Sequence, residues 1–213
     1  MLEHFTKEIH DYCADHSVRH SDYLDRIEES TKANVYGAGM ISSAYQGRLL
    51  SMLSHLVNPR RVLEIGTFTG YSALCMAEGL TADGKVISIE RNKSLKPIID
   101  QHLSWTPLGQ QVEVLYGEAH LVIPQLTAAW DMVFVDAAKK QYGLYVDLII
   151  DQLRPGGLII ADNVLWRGKV LEEDSEDDRT LAMQQFNDRM HGDERLQPFL
   201  LPIRDGIFIL RKK

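Results

Sequence analysis

Hydrophobic and polar positions divide the 213-residue chain into three stretches of different period. In residues 2–30 apolar side chains recur at helical spacing, with Phe5, Ile9, Tyr12 and Cys13 followed by Tyr23, Leu24 and Ile27. This predicts one or two helices outside the main sheet. Residues 42–56 predict another helix, with Leu49, Leu50, Leu53 and Leu56 on one face and Pro59 closing it off. From residue 61 short β-branched runs alternate with longer helical stretches. Strands are predicted at 61–65, 85–89, 112–116, 132–135 and 158–161, and crossover helices at 71–80, 93–105, 119–126 and 142–153. Strand, helix, strand at this rhythm requires a parallel sheet with helices on both faces. The tail changes again. Apolar runs at 199–203 and 207–211 are joined by Arg204-Asp205-Gly206, whose Asp-Gly pair marks an antiparallel hairpin. The expected fold is α/β, with seven strands, mostly parallel, and extra helices at the N-terminus. A single domain is expected over 1–213, with 1–57 as an N-terminal helical cap region.

Composition adds exclusions. Hydrophobic residues make up 45% and charged residues 25%, enough for a sizeable globular core. Apolar runs such as 157–161 are strand-sized, so no membrane span and no membrane partner are expected. The start, Met1-Leu2-Glu3-His4, lacks an apolar signal core, and a cytoplasmic location follows by default. Cys13 and Cys75 have no metal-like spacing and read as buried or half-buried small apolar residues. His16 and His20 are four apart with no second ligand pair, which makes them surface histidines. A net charge of −7 disfavours a nucleic-acid partner, although a local basic patch can override the average. The acidic run 172–178 reads as a solvated face in a loop or at a helix start.

The first strand, turn and helix carry the first chemistry. Val62-Leu63-Glu64-Ile65-Gly66-Thr67-Phe68-Thr69-Gly70-Tyr71-Ser72 ends a strand, turns on glycines and opens a helix. In an open α/β sheet such a turn borders the ligand crevice. Glu64 stands where a dinucleotide fingerprint has its first glycine, and no lysine follows the glycines as a phosphate loop requires. A carboxylate there repels pyrophosphate and favours a cation, such as a sulfonium that also carries an amino-acid ammonium. Glu90, at the tip of the second strand, sits about 20 residues on, where a ribose partner is expected. A nicotinamide-dependent oxidoreductase on the same fold is disfavoured by Glu64.

The fourth and fifth strands end in oxygen donors. Val133-Phe134-Val135-Asp136 and Ile159-Ile160-Ala161-Asp162-Asn163 bring two acids and an amide to the same sheet edge. These are hard donors suited to Mg²⁺, Mn²⁺ or Ca²⁺, with positions left for water and a bidentate ligand. Taken singly, Asp162 and Asn163 also suit a cap and a turn.

With these motifs in this order, residues 20–213 resemble the class I, metal-dependent O-methyltransferases of the catechol and caffeoyl-coenzyme A type, especially bacterial members. The resemblance rests on the segment 62–72, Phe134-Val135-Asp136-Ala137-Ala138-Lys139, Ala161-Asp162-Asn163-Val164-Leu165-Trp166 and the closing Arg204-Asp205-Gly206. It implies a Rossmann-like sheet and S-adenosylmethionine (SAM) bound by Glu64, Gly66, Thr67, Ser72, Glu90 and Asp136, with Ala119 by the adenine. Met40 and Ser42 match positions that close over the methionine end. Asp136, Asp162 and Asn163 match the metal ligands, and Lys139 falls on the general base. A homodimer and a small-molecule hydroxyl acceptor are also implied. Plant members carry an acid where Ala138 stands and a substrate-touching asparagine where Arg167 stands, so their substrate does not transfer. Trp166 and Arg167 are candidates for the acceptor wall, with 172–178 rimming the entrance. Within the family, methylation of a hydroxyuridine in transfer RNA is the competing reading. A non-catalytic binding module is a third, disfavoured because binding alone needs neither the metal triplet nor Lys139.

Overall fold

Five strands with almost continuous apolar runs build the centre of the molecule, as parallel strands buried on both faces require. The computed structural model describes residues 7–17, 19 and 21–213, so Phe5 and His20 lie outside the described residues. Strands β1 (Arg61–Ile65), β2 (Lys85–Glu90), β3 (Val112–Tyr116), β4 (Trp130–Val135) and β5 (Leu153–Asp162) are all parallel. After them come β6 (Leu196–Leu201) and β7 (Ile207–Lys212), and the sheet order is β3-β2-β1-β4-β5-β7-β6. β7 is antiparallel to both β5 and β6, so the hairpin predicted from Asp-Gly closes the sheet.

Alternation along the strands sorts the core into two layers. Leu63, Ile65, Val133, Val135 and Ile159 face α7 (Tyr142–Ile149) and α8 (Asp178–Gly192), where Val146, Ile149, Met183, Phe186 and Met190 complete the layer. Val62, Met132, Phe134 and Ile160 face α2 (Asp22–Asn34), α3 (Ala44–Val57) and α4 (Tyr71–Ala77), with Leu24, Ile27, Leu50 and Leu74. Asp131 locks the strand bottoms together. Its Oδ2 accepts from the backbone N–H groups of Arg60 and Arg61, both at 2.8 Å, and its Oδ1 pairs with Arg154. α1 (Lys7–Asp15), α5 (Lys96–Leu103) and α6 (Ala119–Val122) complete the helices. No helix among the described residues is long and apolar enough to cross a membrane. Cys13 is half-buried and Cys75 buried, and both are free thiols. His16 is exposed and stacks on Tyr12 at 3.9 Å.

Several boundaries depart from the sequence expectation. The helix predicted at 93–105 begins as a 3₁₀ turn, Lys93–Leu95, before α5. The one predicted at 119–126 ends at Val122 and passes into the 3₁₀ turn Ile123–Gln125, because Pro124 cannot continue the hydrogen-bond ladder. β6 lies at 196–201 rather than 199–203 and tolerates Pro198 because it is the edge strand. α8 was not anticipated. Asp177, the last-but-one acid of the run 172–178, is its N-cap and accepts from Thr180 N at 3.0 Å, so the run does end at a helix start.

Gly66 has φ +105, and a Cβ there would meet the carbonyl oxygen of Asp136 at 2.1 Å. Backbone atoms cannot yield as a flexible side chain does. Gly66→Ala is therefore expected to cost about 2 kcal/mol or more, lowering the thermal unfolding midpoint by roughly 5 °C in a calorimetric melt.

Candidate active site

Register places the chemistry. Ile65 pairs with Ile89 on one side and Val135 on the other, and Val135 pairs with Ala161. The next residues, Glu90, Gly66, Asp136 and Asp162, therefore leave the sheet side by side at its carboxyl edge. Backbone bonds continue the ladder one step further: Gly66 N donates to Ile89 O and Asp136 N to Ile65 O, each at 2.9 Å. This edge is where open α/β sheets bind ligands.

On the β1 side, Glu64 shares the face of Val62 and is fully buried. Its Oε1 accepts from Ser72 Oγ at 2.5 Å at the start of α4, and its Oε2 accepts from Ser88 Oγ, which also contacts Thr67 Oγ1 at 2.5 Å. Burial pushes the Glu64 carboxyl up to about 8, although both serine hydroxyls favour the anion. In the ligand-free protein burial thus works against the negative charge expected at this turn. Glu64, Thr67 and Ser72 stand together beside the Gly66 turn. Glu90 is buried, and its carboxylate organises the turn itself, accepting from Phe68 N at 2.9 Å and Asn92 N at 2.7 Å. Those bonds hold Phe68 at φ +51. Ala119 is buried at the first turn of α6, beyond Gly117, whose N–H donates to Glu90 O at 2.9 Å. Ser42 is buried just before α3, whereas Met40 is 63% exposed on a 3₁₀ turn. A cavity of about 660 Å³ lies on this side, lined among others by Asn34, Tyr36, Asn92, Ser94 and Pro97.

On the β4–β5 side, Lys139 reaches back over the strand tips. Its side chain is only 11% exposed. The Nζ donates to Asp136 Oδ1 at 3.0 Å, Asn163 Oδ1 at 2.8 Å and the Asp162 carbonyl at 3.4 Å, and it contacts Tyr142 Oη at 2.5 Å. Of the expected triplet Asp136, Asp162 and Asn163, the side chains of Asp136 and Asn163 therefore meet at the Lys139 nitrogen. The Asp162 carboxylate is held by other partners. Its Oδ2 accepts from Gln46 Nε2 at 2.7 Å and its Oδ1 from the Asn163 N–H at 2.7 Å. Burial, and then the nearby Asp136 carboxylate, push Asp162 up to about 6. Among the described residues no three His, Cys, Asp or Glu side chains form a metal-like group, so a cation held here relies on the Asn163 amide as third donor.

Two residues at this point were missed from the sequence. Gln46 lies on α3, and a lone glutamine in a helix gives no spacing cue. Tyr142 opens α7, fully buried, and its hydroxyl lies 3.1 Å from Val135 O and 3.0 Å from Asp162 O. Its position three residues after Lys139 was the available cue.

The segment after Asn163 is held in place by the hairpin turn and α8. Asn163, Trp166 and Arg167 all have positive φ. Val164 N and Leu165 N donate to Gly206 O and Asp205 O at 3.2 and 2.8 Å, and Arg167 N donates to the Asp205 carboxylate. From α8, Asn187 Nδ2 donates to Val164 O at 2.8 Å and Gln184 Nε2 to Glu172 O at 2.7 Å. Trp166 and Arg167 line a cavity of about 240 Å³ with Lys169, Asp177 and Arg179. Of the acidic run only Asp177 lines it, beside the basic side chains of Arg167, Lys169 and Arg179.

The raised Glu64 value has a signed consequence. A carboxyl whose folded value lies above its unfolded one stabilises the fold at low pH, and that contribution is lost as pH rises through about 8. Glu64→Gln removes the ionisation. Its unfolding midpoint relative to the unsubstituted ligand-free protein is expected to be higher at about pH 9 than at about pH 6, as thermal melts at the two values will show.

Comparison with known proteins agrees with this geometry. Residues 14–213 match the O-methyltransferase family model. The chain is 32% identical over 220 residues to a probable caffeoyl-CoA O-methyltransferase of Arabidopsis thaliana, covering 97% of this chain and 94% of that one. It is 35% identical over 149 residues to a catechol O-methyltransferase of Niastella koreensis, covering 68% and 67%. A Podospora anserina methyltransferase, solved with bound S-adenosylhomocysteine (SAH), superposes with a TM-score of 0.89 at 28% identity, covering 100% of this chain and 99% of that one. With its glycine turn and strand-tip acids in one row, the chain belongs to the SAM-dependent O-methyltransferases of the caffeoyl-CoA and catechol type.

Proposed function

We propose that the chain transfers the methyl group of SAM to a hydroxyl flanked by a second oxygen on a small catechol-like acceptor, assisted by Mg²⁺ held by Asp136, Asp162 and Asn163. The observation that carries this reading is the position of the Lys139 Nζ, a cation held between Asp136 Oδ1 and Asn163 Oδ1 one strand away from the Gly66 turn. A charged nitrogen held among oxygen donors supports a cation site at this point. The surrounding donors are carboxylate, amide and carbonyl oxygens, the set a hard divalent ion takes. When bound, such an ion supplies Lewis-acid polarisation that lowers the pKa of the acceptor hydroxyl.

The chain's own residues do the rest. Lys139 is the general base for the hydroxyl proton, and Tyr142 and Asn163 keep its nitrogen at the strand tips. The freed oxygen attacks the methyl carbon. The new O–CH₃ bond forms as the S–CH₃ bond breaks, leaving SAH as a neutral thioether. Glu64, with Ser72 and Thr67 beside it, receives the ammonium of the donor's amino-acid end, Glu90 the ribose and Ala119 the adenine. Gly66 lets the donor approach the backbone, while Met40 and Ser42 border its methionine end. Holding both reactants on adjacent strand tips supplies much of the acceleration through proximity.

The test is turnover with labelled SAM, screening catechols, vicinal diols and hydroxyuridine-containing RNA with and without Mg²⁺. Turnover of a catechol-like acceptor that vanishes with a chelator and in Asp136→Ala is the expected result. Full activity of Asp136→Ala under chelation excludes the metal role, and methylation of RNA alone replaces the acceptor. Lys139→Met is expected to lower kcat by about 10²- to 10⁴-fold while calorimetric SAH affinity holds. An unchanged kcat removes Lys139 from the chemistry.

A further inference from the structure

We infer that Gln46 is a positioning residue that aims the Asp162 carboxylate at the cation site, with Arg204 fixing the direction of its amide. This rests on the metal reading above.

The contact is buried and spans the fold. Gln46 and Asp162 are 1% and 4% exposed, and the Nε2–Oδ2 distance is 2.7 Å across 116 positions of sequence. α3 is brought to this point deliberately by its local sequence. Ser43 caps it, its Oγ accepting from Gln46 N at 3.2 Å. The next residue is glycine, and a Cβ at Gly47 would meet Tyr71 at 2.8 Å and Cys75 at 2.9 Å, so only glycine lets α3 lie this close to α4. That approach carries the Gln46 side chain to the tip of β5.

A glutamine amide presents either a donor or an acceptor, and only the donor end orients a carboxylate. Here Gln46 Oε1 accepts from Arg204 Nη1 at 3.3 Å, which leaves Nε2 for Asp162. Arg204 comes from the hairpin turn that also clamps the segment after Asn163. The arrangement has a chemical advantage over a direct Arg204–Asp162 pair. A neutral amide holds the carboxylate in place without cancelling the negative charge that a divalent cation needs. With Oδ2 engaged by Gln46 and Oδ1 by the Asn163 N–H, the carboxylate plane is set, and each oxygen keeps a free lone pair for the ion.

Groups that orient a metal's ligands typically alter its affinity by 10- to 100-fold when removed, by order of magnitude. The test is calorimetric titration of Mn²⁺ into the SAH-saturated protein, with SAH titrations alongside, for the unsubstituted chain, Gln46→Met, Arg204→Met and the double variant. Methionine keeps the length and bulk of glutamine without its amide. Gln46→Met is expected to weaken Mn²⁺ binding by about 10-fold or more while SAH affinity holds. Arg204→Met, on an exposed turn, is expected to weaken Mn²⁺ binding less, and to add nothing in the Gln46→Met background. Mn²⁺ affinity unchanged in Gln46→Met, or a parallel loss of SAH affinity, overturns the positioning role. Independent, additive effects of the two substitutions overturn the relay. An unsubstituted protein that binds no Mn²⁺ overturns the metal reading and this inference with it. Should Gln46→Met fail to fold, Arg204→Met alone decides, and no loss of Mn²⁺ affinity in it counts against the relay.

Discussion

The contact between the Gly66 backbone and the carbonyl of Asp136 sets the spacing on which the site depends. A side chain at residue 66 would occupy the space of that oxygen, so the turn after β1 and the tip of β4 meet only because the residue is glycine. The Asp136 N–H in turn completes the ladder to Ile65. The groups of the Gly66 turn and those at the tip of β4 thus stand on neighbouring strands joined by backbone bonds. Side-chain flexibility has little room to change their separation.

Around this fixed edge the polar groups are satisfied by one another. Glu64 takes two serine hydroxyls, Glu90 takes two backbone N–H groups, and Asp162 takes an amide from α3 and a backbone N–H from Asn163. Burial makes each carboxylate expensive, and its partners come from different elements, so the helices and the sheet edge stabilise one another through the site. α3, whose N-terminal turn follows Ser42, is tied to α4 at Gly47 and to β5 at Asp162.

Much of this was legible in the residues alone. The central strands showed as apolar runs because both their faces are buried, and the acids at their tips stood out because a carboxylate ending such a run has no packing role. The Asp-Gly turn located the hairpin. What escaped has physical reasons. α8 buries only Thr180, Met183, Phe186 and Met190, and its other positions are polar enough to blur the helical period. β6 is an edge strand in which Gln197 and Pro198 break the alternation, so its register followed from pairing with β7 rather than from its own pattern. Gln46 and Tyr142 act through contacts made only when distant segments meet. The charge state of Glu64 depends on complete burial, which no local pattern records.

The hairpin turn at 204–206 is pinned to the backbone of the segment 164–167 mostly through main-chain atoms, with Asp205 adding one carboxylate bond. A main-chain clamp is indifferent to which side chains Trp166 and Arg167 carry. The wall beside the strand tips can therefore be repainted by substitution while its scaffold stays where it is. Such a division separates the chemistry of this surface, which substitution can rewrite, from a frame that does not move.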